Sequence, residues 1–344
     1  MEDNNKIFRR KVFVITGGTG SFGNVMARHL LTLDVAEVRI LSRDESKQDL
    51  MRRTINDQRM SFYIGDVRDS TSLEMAFRGA DYVFHAAALK HVPSSEFHPV
   101  EAVKTNVMGT ENVIRASIAN NIEKIVLLST DKAVQPVNVM GMSKGIMERT
   151  ALSFARLVED KPKICITRYG NVIASRGSVV PHFLRQAKEG HQLTITDPSM
   201  TRFIMSLVEA VDLVIYAFNN GESGDLFVQK SPAATVQQIA EVTNRLVGRS
   251  GNEHKIIGVR HGEKKFETLV SEEEIRKSVD CGQFYKVPMD DRSLNYDNYV
   301  SVGVRVPEVQ KEYNSDNTSR LTNDELFEIL ANNAEVKEIL ENVK

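Results

Sequence analysis

Short apolar runs alternate with amphipathic stretches along the first half of the chain. Val12, Phe13, Val14 and Ile15 form an unbroken apolar run, the pattern of a parallel strand covered on both faces. Phe22, Met26, Leu30 and Leu33 then recur on one helical face. Further strands are predicted at 37–42, 61–65, 81–85, 124–128 and 163–167, with a helical stretch over 99–120 between two of them. This order predicts an α/β architecture, a doubly wound parallel sheet whose ligands bind beyond the carboxyl ends of the strands. From about Asn171 the alternation loses its regularity, and 193–196 reads as a short strand. Residues 1–173 and 203–230 are expected to form the larger domain. Residues 174–202 and 231–344 are expected to form a smaller α/β domain with a C-terminal arm. In that arm Thr322 and Glu325 mark a capping box, and Leu326, Ile329 and Leu330 give the helix an apolar face.

The turn after the first strand carries Gly17, Thr19, Gly20, Ser21, Phe22 and Gly23. Strand, glycine turn and helix in that order form the dinucleotide-binding fingerprint of the Rossmann fold. Gly17 permits the turn, Gly20 admits a pyrophosphate to the backbone, and Gly23 lets helix and strand close up. Free N–H groups at the helix start favour an anion there. The second strand ends in Ser42 and Arg43, with Lys47 close behind, which suits the 2′-phosphate of NADP. Asp44 and Glu45 keep NAD open. Asp66 and Val67 are placed to cover an adenine edge, and Ala86, Ala87 and Ala88 are small enough for a cofactor to lie against the backbone.

Composition narrows the function classes. The 344 residues are 41% apolar and 26% charged, a globular balance. The net charge of −2 gives no electrostatic case for nucleic acid or a membrane surface. No apolar run approaches a bilayer span, and residues 1–5 are unlike a secretory signal. Of two cysteines, Cys165 falls in an apolar strand and is expected as a buried reduced thiol. A cytoplasmic protein is expected. His85, His91, and His261 with Glu263 lack metal-ligand spacing, so no metal site is assigned.

The most informative local feature follows the fifth strand. Thr130, Asp131 and Lys132 stand at its end, and Met140 precedes Lys144 by four residues. Many nicotinamide-dependent enzymes place a Tyr-x-x-x-Lys pair here, the tyrosine taking a hydroxyl proton. A thioether at 140 cannot accept it. Either catalysis is lost, or proton transfer passes to Asp131 and Lys132; retention of both, with Lys144, favours the second.

Thr16 to Gly23, His85 to Ala88, Thr105 and Asn106 with Gly109 and Thr110, and the 129–144 region together resemble the extended short-chain dehydrogenase/reductase family. Ser42 to Glu45, Gly65 to Asp69, Ala88 to Pro93, Arg168 to Val172, Ser175 to Val179, Met200 to Phe203 and Arg260 to Lys264 are similar to its nucleotide-sugar dehydratases of polysaccharide biosynthesis. Met140 and the run from Asn295 to Tyr299 resemble the capsule and O-antigen branch, the CapE, FnlA and WbjB group, with CapD as a relative often catalogued as a UDP-glucose 4-epimerase.

The resemblance implies a UDP-N-acetylglucosamine 4,6-dehydratase that also inverts C5. Its product would be a UDP-2-acetamido-2,6-dideoxy-L-arabino-4-hexulose for N-acetyl-L-fucosamine synthesis. It implies cofactor contacts also from Lys90, Asn106, Tyr169, Asn171 and Val172, with Lys144 on the nicotinamide ribose. Thr130 would hold the sugar, Asp131 would protonate departing O6, and Lys132 would take H5. The lysine could do so only if burial and a nearby cation lowered its pKa. The O4 proton would pass to Lys144 or Asp131. Lys90, His91, Asn171, Ser175, Arg176, Gly177, Ser178, Val179, Thr194, Thr196, Arg202, Arg260 and Glu263 are expected around the UDP-sugar. Arg176, Arg202, Arg260 and Lys264 supply the cations that two phosphates need. A homo-oligomer, dimer or hexamer, is expected. Two other readings stay open: a simple UDP-glucose or UDP-N-acetylglucosamine 4-epimerase, which has no use for an Asp–Lys pair, and a non-catalytic NADP-binding protein.

Overall fold

The computed structural model describes residues 6–173, 177–249, 254–290 and 311–341. Six parallel strands form its centre: β1 (Val12–Thr16), β2 (Glu37–Ser42), β3 (Met60–Ile64), β4 (Tyr82–His85), β5 (Lys124–Leu128) and β6 (Lys163–Arg168). Short strands β7 (Leu193–Ile195) and β8 (Thr201–Phe203) lie outside that sheet. β9 (Leu226–Gln229) rejoins it, parallel to β6. β10 (Ala233–Thr235) pairs antiparallel with β8, and β11 (His254–Ile256) pairs parallel with β7. β12 (Thr268–Val270) precedes β13 (Val279–Asp280) and β14 (Phe284–Val287), which extend the large sheet antiparallel beyond β9. β15 (Tyr313–Asn314) pairs antiparallel with β12. The large sheet runs β13-β14-β9-β6-β5-β4-β1-β2-β3.

Why the strands read as continuous apolar runs is plain from the two faces. Phe13, Ile15, Phe84 and Val126 enter one core with Met26, Leu30 and Phe218. Val14, Val83, Ile125 and Leu127 enter the other with Phe77, Val113 and Ala151. Alternate side chains point to opposite faces, and both faces are covered by helices, so no polar alternation survives. Strand order reverses between β1 and β4, which opens the crevice where such sheets bind ligands.

The stretch expected as one helix over 99–120 is helical throughout but not uniform. A π turn, Val103–Met108, joins Pro99–Ala102 to Gly109–Ala119. It turns Thr105 and Asn106 into the interior. A Cβ at Gly109 would lie 2.8 Å from Val67 Cγ2, so only glycine fits there without displacing Val67.

A third apolar cluster lies apart from the sheet. The helices Val179–Lys188, Val236–Leu246, Asn323–Asn332 and Ala334–Glu341 close around it with Leu193, Ile195 and Met200. The capping box at Thr322 and Glu325 is formed, and Leu326 and Leu330 are buried. The C-terminal arm is clasped to its own chain. Ser315 Oγ meets Thr201 Oγ1 at 2.7 Å, and the Glu267 N–H donates to Ser315 Oγ at 3.0 Å. Asn295 to Tyr299 lie outside the described residues. Cys165 is buried and unbridged. No helix among the described residues is long and apolar enough to cross a membrane.

Candidate active site

The glycine turn is built for close approach of an extended polar ligand. Gly17 has φ +68, and a Cβ there would lie 2.8 Å from the Ala87 backbone. Its N–H donates to the Leu41 carbonyl at 2.8 Å, which draws the turn onto β2. At Gly23 a Cβ would come within 2.5 Å of Gly18 Cα. Gly20 is exposed, and the helix Ser21–Leu31 begins there with no side-chain cap, so its first N–H groups face outward. Phe22 is turned inward, edge-on to Phe84 and Tyr169. The donors, the exposed turn and the half-buried Ala86–Ala88 wall fit a dinucleotide pyrophosphate.

Residues expected beside the adenosine divide in two. Arg43 lies half exposed, 3.6 Å from Asp66. Asp44 is committed elsewhere: it caps the helix Glu45–Ile55 through the Lys47 N–H and pairs with Lys47 Nζ at 2.5 Å. Its role here is a helix cap, not a free acid at the strand end. Asn106 likewise supports from behind. Its amide clamps the Leu89 backbone in both directions and donates to Ser143 Oγ at 2.9 Å, leaving no polar atom spare. His85 bridges Thr16 Oγ1 and Thr110 Oγ1, and burial with nearby Lys144 pushes its pKa down to about 3. A neutral imidazole there ties strand to helix.

The residues expected to transfer protons gather at the end of β5. The Ser129 N–H donates to the Thr167 carbonyl and the Asp131 N–H to the Tyr169 carbonyl, so the strand end is held against β6. Thr130 opens a short turn and donates to Asp131 Oδ1 at 2.8 Å. Asp131 is 1% exposed. Lys132 Nζ lies 3.1 Å from Asp131 Oδ1 and 3.4 Å from Glu267 Oε1. Neither Asp131 Oδ2 nor Glu267 Oε2 has a hydrogen-bond partner among the described residues. Burial raises the pKa of Asp131 despite the nearby ammonium.

Lys132 departs from expectation. Burial lowers its pKa, but Asp131 and Glu267 more than offset this, and the net shift is upward. Arg202, the expected nearby cation, only reduces the effect. In this arrangement Lys132 is an ammonium ion, not a ready base for H5.

The helix Val139–Leu157 starts on an Asn138 cap and carries Met140 and Lys144, both buried. A Cβ at Gly141 would fall 2.2 Å from the Lys132 carbonyl, so this helix closes on the turn that carries Asp131 and Lys132. Lys144 Nζ donates to the Leu128 carbonyl at 2.7 Å, and burial pushes its pKa down to about 8.

The expected sugar and phosphate groups converge in part. Gly177 meets the His91 ring. Buried Asn171 Oδ1 and Ser178 Oγ lack partners among the described residues, as polar atoms awaiting a ligand would. Arg202 is nine-tenths buried near Lys132 and Glu267, and its guanidinium donates to the Thr201 carbonyl at 2.8 Å. Lys264 donates to the Val134 carbonyl. Arg260 lies on the exposed loop after β11, its N–H donating to Glu263 at 3.2 Å. Val179 and Thr196 flank the third apolar cluster. Gln186 donates to the Thr194 hydroxyl oxygen at 2.9 Å and accepts from the Thr194 N–H, tying β7 to the helix Val179–Lys188. Ser175 and Arg176 lie outside the described residues.

Glu267 was not singled out from sequence. A lone glutamate before a three-residue apolar strand carries no local signal of its function. It reaches Lys132 because the fold holds β12 against both Arg168 and β15.

The chain matches the profile of the polysaccharide biosynthesis protein family over residues 13–289 and that family's C-terminal profile over 290–337. It is 53% identical to the UDP-glucose 4-epimerase of Rickettsia felis over 98% of this chain and all of that protein. The UDP-glucose 4-epimerase of Rickettsia prowazekii is 53% identical over 94% and 96% of the two chains. Among solved structures, Pen from Bacillus thuringiensis superposes with TM-score 0.85 at 33% identity, covering 94% of this chain and 99% of that one. The dTDP-glucose 4,6-dehydratase DesIV of Streptomyces venezuelae, at 20% identity and TM-score 0.67 over 74% and 86% of the two chains, shares the fold. The chain therefore belongs to the polysaccharide biosynthesis protein family, within the extended short-chain dehydrogenase/reductase class of nucleotide-sugar epimerases and dehydratases.

Proposed function

We propose that this protein is a UDP-N-acetylglucosamine 4,6-dehydratase that also inverts C5. The observation that carries the reading is the Asp131–Lys132 pair, its carboxylate buried with one oxygen unpartnered among the described residues, beside a methionine at the tyrosine position. A simple 4-epimerase moves one hydroxyl proton and needs no such pair. A bound NADP would supply the hydride acceptor at C4 and the donor at C6. Half-exposed Arg43 and Lys47 favour NADP over NAD, because Asp44 is spent on its helix cap.

The chain's own groups would act as follows. Lys144, with its pKa near 8, takes the O4 proton in place of the missing phenol. Lys132 passes its proton across 3.1 Å to Asp131. That single transfer makes a neutral amine and a carboxylic acid from an ion pair. Water-free enclosure by substrate favours the neutral form of the pair. The amine then takes H5, the acid protonates departing O6, and water leaves. A solvent-derived proton delivered to C5 from the face opposite Lys132 gives the L-sugar. Asn171, Ser178, Arg202 and Arg260 would hold the diphosphate and sugar, and Thr130 a sugar hydroxyl. The product would enter N-acetyl-L-fucosamine synthesis for capsule or O-antigen, in the cytoplasm, from a homo-oligomer.

A UDP-glucose 4-epimerase is the second reading, favoured by the name of relatives 53% identical to this chain. NMR of the protein with UDP-N-acetylglucosamine and NADP in deuterated water separates the two. A new 6-methyl signal with deuterium at C5 supports the dehydratase, and the ring couplings then report inversion. A C4 epimer from UDP-glucose, with no methyl signal, supports the epimerase. Binding without turnover of either sugar leaves a non-catalytic protein.

A further inference from the structure

Glu267 is 4% exposed and approaches from just before β12, far along the chain from the turn after β5 that carries Asp131 and Lys132. Its backbone is locked on both sides: its N–H donates to Ser315 Oγ at 3.0 Å, and its carbonyl accepts from the Ser315 N–H at 2.8 Å. Ser315 is itself buried and bonded to Thr201. The C-terminal arm therefore fixes where this carboxylate stands. One of its oxygens lies 3.4 Å from Lys132 Nζ, and the other is buried without a partner among the described residues. A buried carboxylate with an empty oxygen is costly, and structures keep one where it serves a purpose.

We propose that Glu267 is a positioning residue of the proton-transfer site, holding Lys132 in place and in its ammonium form between two carboxylates until substrate arrives. The inference deepens the proposed function and rests on its reading of Asp131 and Lys132 as the proton carriers. Lys132 is faced by Asp131 on its own turn, by Glu267 from just before β12, by Arg202 from β8 and by Lys264 from the loop before β12. The two carboxylates draw a proton to the lysine, whereas Arg202 and Lys264 repel it. Without Glu267 that pull on the proton weakens, and a larger share of Lys132 stands as free amine before substrate is bound.

The test reads the lysine directly, without turnover. Lys132 retains 24% side-chain exposure, enough for a small acylating reagent. The full-length protein is treated with acetic anhydride from neutral to alkaline pH, and the peptides carrying Lys132 and Lys144 are quantified by mass spectrometry. In Glu267→Gln, acetylation of Lys132 at neutral pH is expected to rise roughly tenfold, the change in free amine for one unit of pKa, with Lys144 unchanged. In Glu267→Asp, which keeps the charge, Lys132 is expected to return toward the wild-type rate. Equal Lys132 rates in wild type and Glu267→Gln overturn the proposal. If Lys144 also rises in Glu267→Gln, the fold has loosened, and Glu267→Asp decides. A rate nearer wild type supports the proposal, and one as high as Glu267→Gln overturns it. Product NMR on wild type judges the dehydratase reading separately, so neither failure hides the other.

Discussion

Two buried charge clusters stand side by side in this molecule, and they are satisfied to different degrees. In the first, Arg168, 2% exposed at the end of β6, meets Glu148 and Glu274. All five of its N–H groups are used: Nε and one Nη donate to Glu148, two Nη hydrogens donate to Glu274, and one donates to the Leu269 carbonyl at 2.8 Å. Glu148 also accepts from Ser129 Oγ, and Glu274 closes a capping box with Ser271. In the second, Lys132 also sits between two carboxylates, yet each keeps an oxygen with no partner among the described residues. Planar guanidinium chemistry makes the first a closed joint between sheet and β12 region. A single ammonium on a flexible stem leaves the second open. The closed cluster ties the sheet to the β12 region, and the open one keeps hydrogen-bonding capacity unused among the described residues.

The largest effects should separate the two clusters by kind. Asp131→Asn removes the acid and should lower turnover roughly 10²–10⁴-fold while thermal unfolding stays near wild type. Arg168→Met leaves two carboxylates buried without a counter-charge, and should cost about 3–5 kcal/mol in urea unfolding. Normal stability in Arg168→Met, or collapse of the fold in Asp131→Asn, would break the comparison.

Acid should sharpen it. Arg168 and the Ser271 cap hold the Glu274 pKa down to about 2 against the burial that raises it, from an ordinary 4.5. A carboxylate depressed in this way stabilises the fold fully above its ordinary pKa and loses that contribution as pH falls. Stability on the order of 3 kcal/mol should therefore drain away between about pH 4.5 and 2, and Glu274→Gln should flatten that limb of a melting-temperature titration.

The smallest effect concerns Lys144. Its pKa of about 8 makes the neutral amine scarce at pH 7 and half formed at pH 8. If it takes the O4 proton, the rate should rise roughly fivefold across that interval. A profile flat through pH 8 would assign that proton to another group.

The parallel sheet and its glycine turn were legible because their signals are local. Val12 to Ile15 are apolar on both faces because both faces are covered, and Gly17 is required where a backbone passes at van der Waals distance. Thr130, Asp131, Lys132 and Lys144 were legible because a strand end and the following helix fix their spacing. The bond between Thr194 and Gln186 was not legible, since it depends on how a helix lies over β7. The cap that Asp44 gives its helix was not foreseen, because an acid after a strand and a helix cap look alike until the helix begins.

By itself, then, the sequence determined the fold, the family, the cofactor turn and the presence of an acid and a lysine where tyrosine is missing. Periodicity and short-range spacing encode all of these. The charge state of Lys132 was decided by tertiary structure alone. Electrostatic energy depends on distance in space, and Glu267, 135 residues further along the chain, reaches 3.4 Å from that amine because the fold holds β12 against both Arg168 and the C-terminal arm.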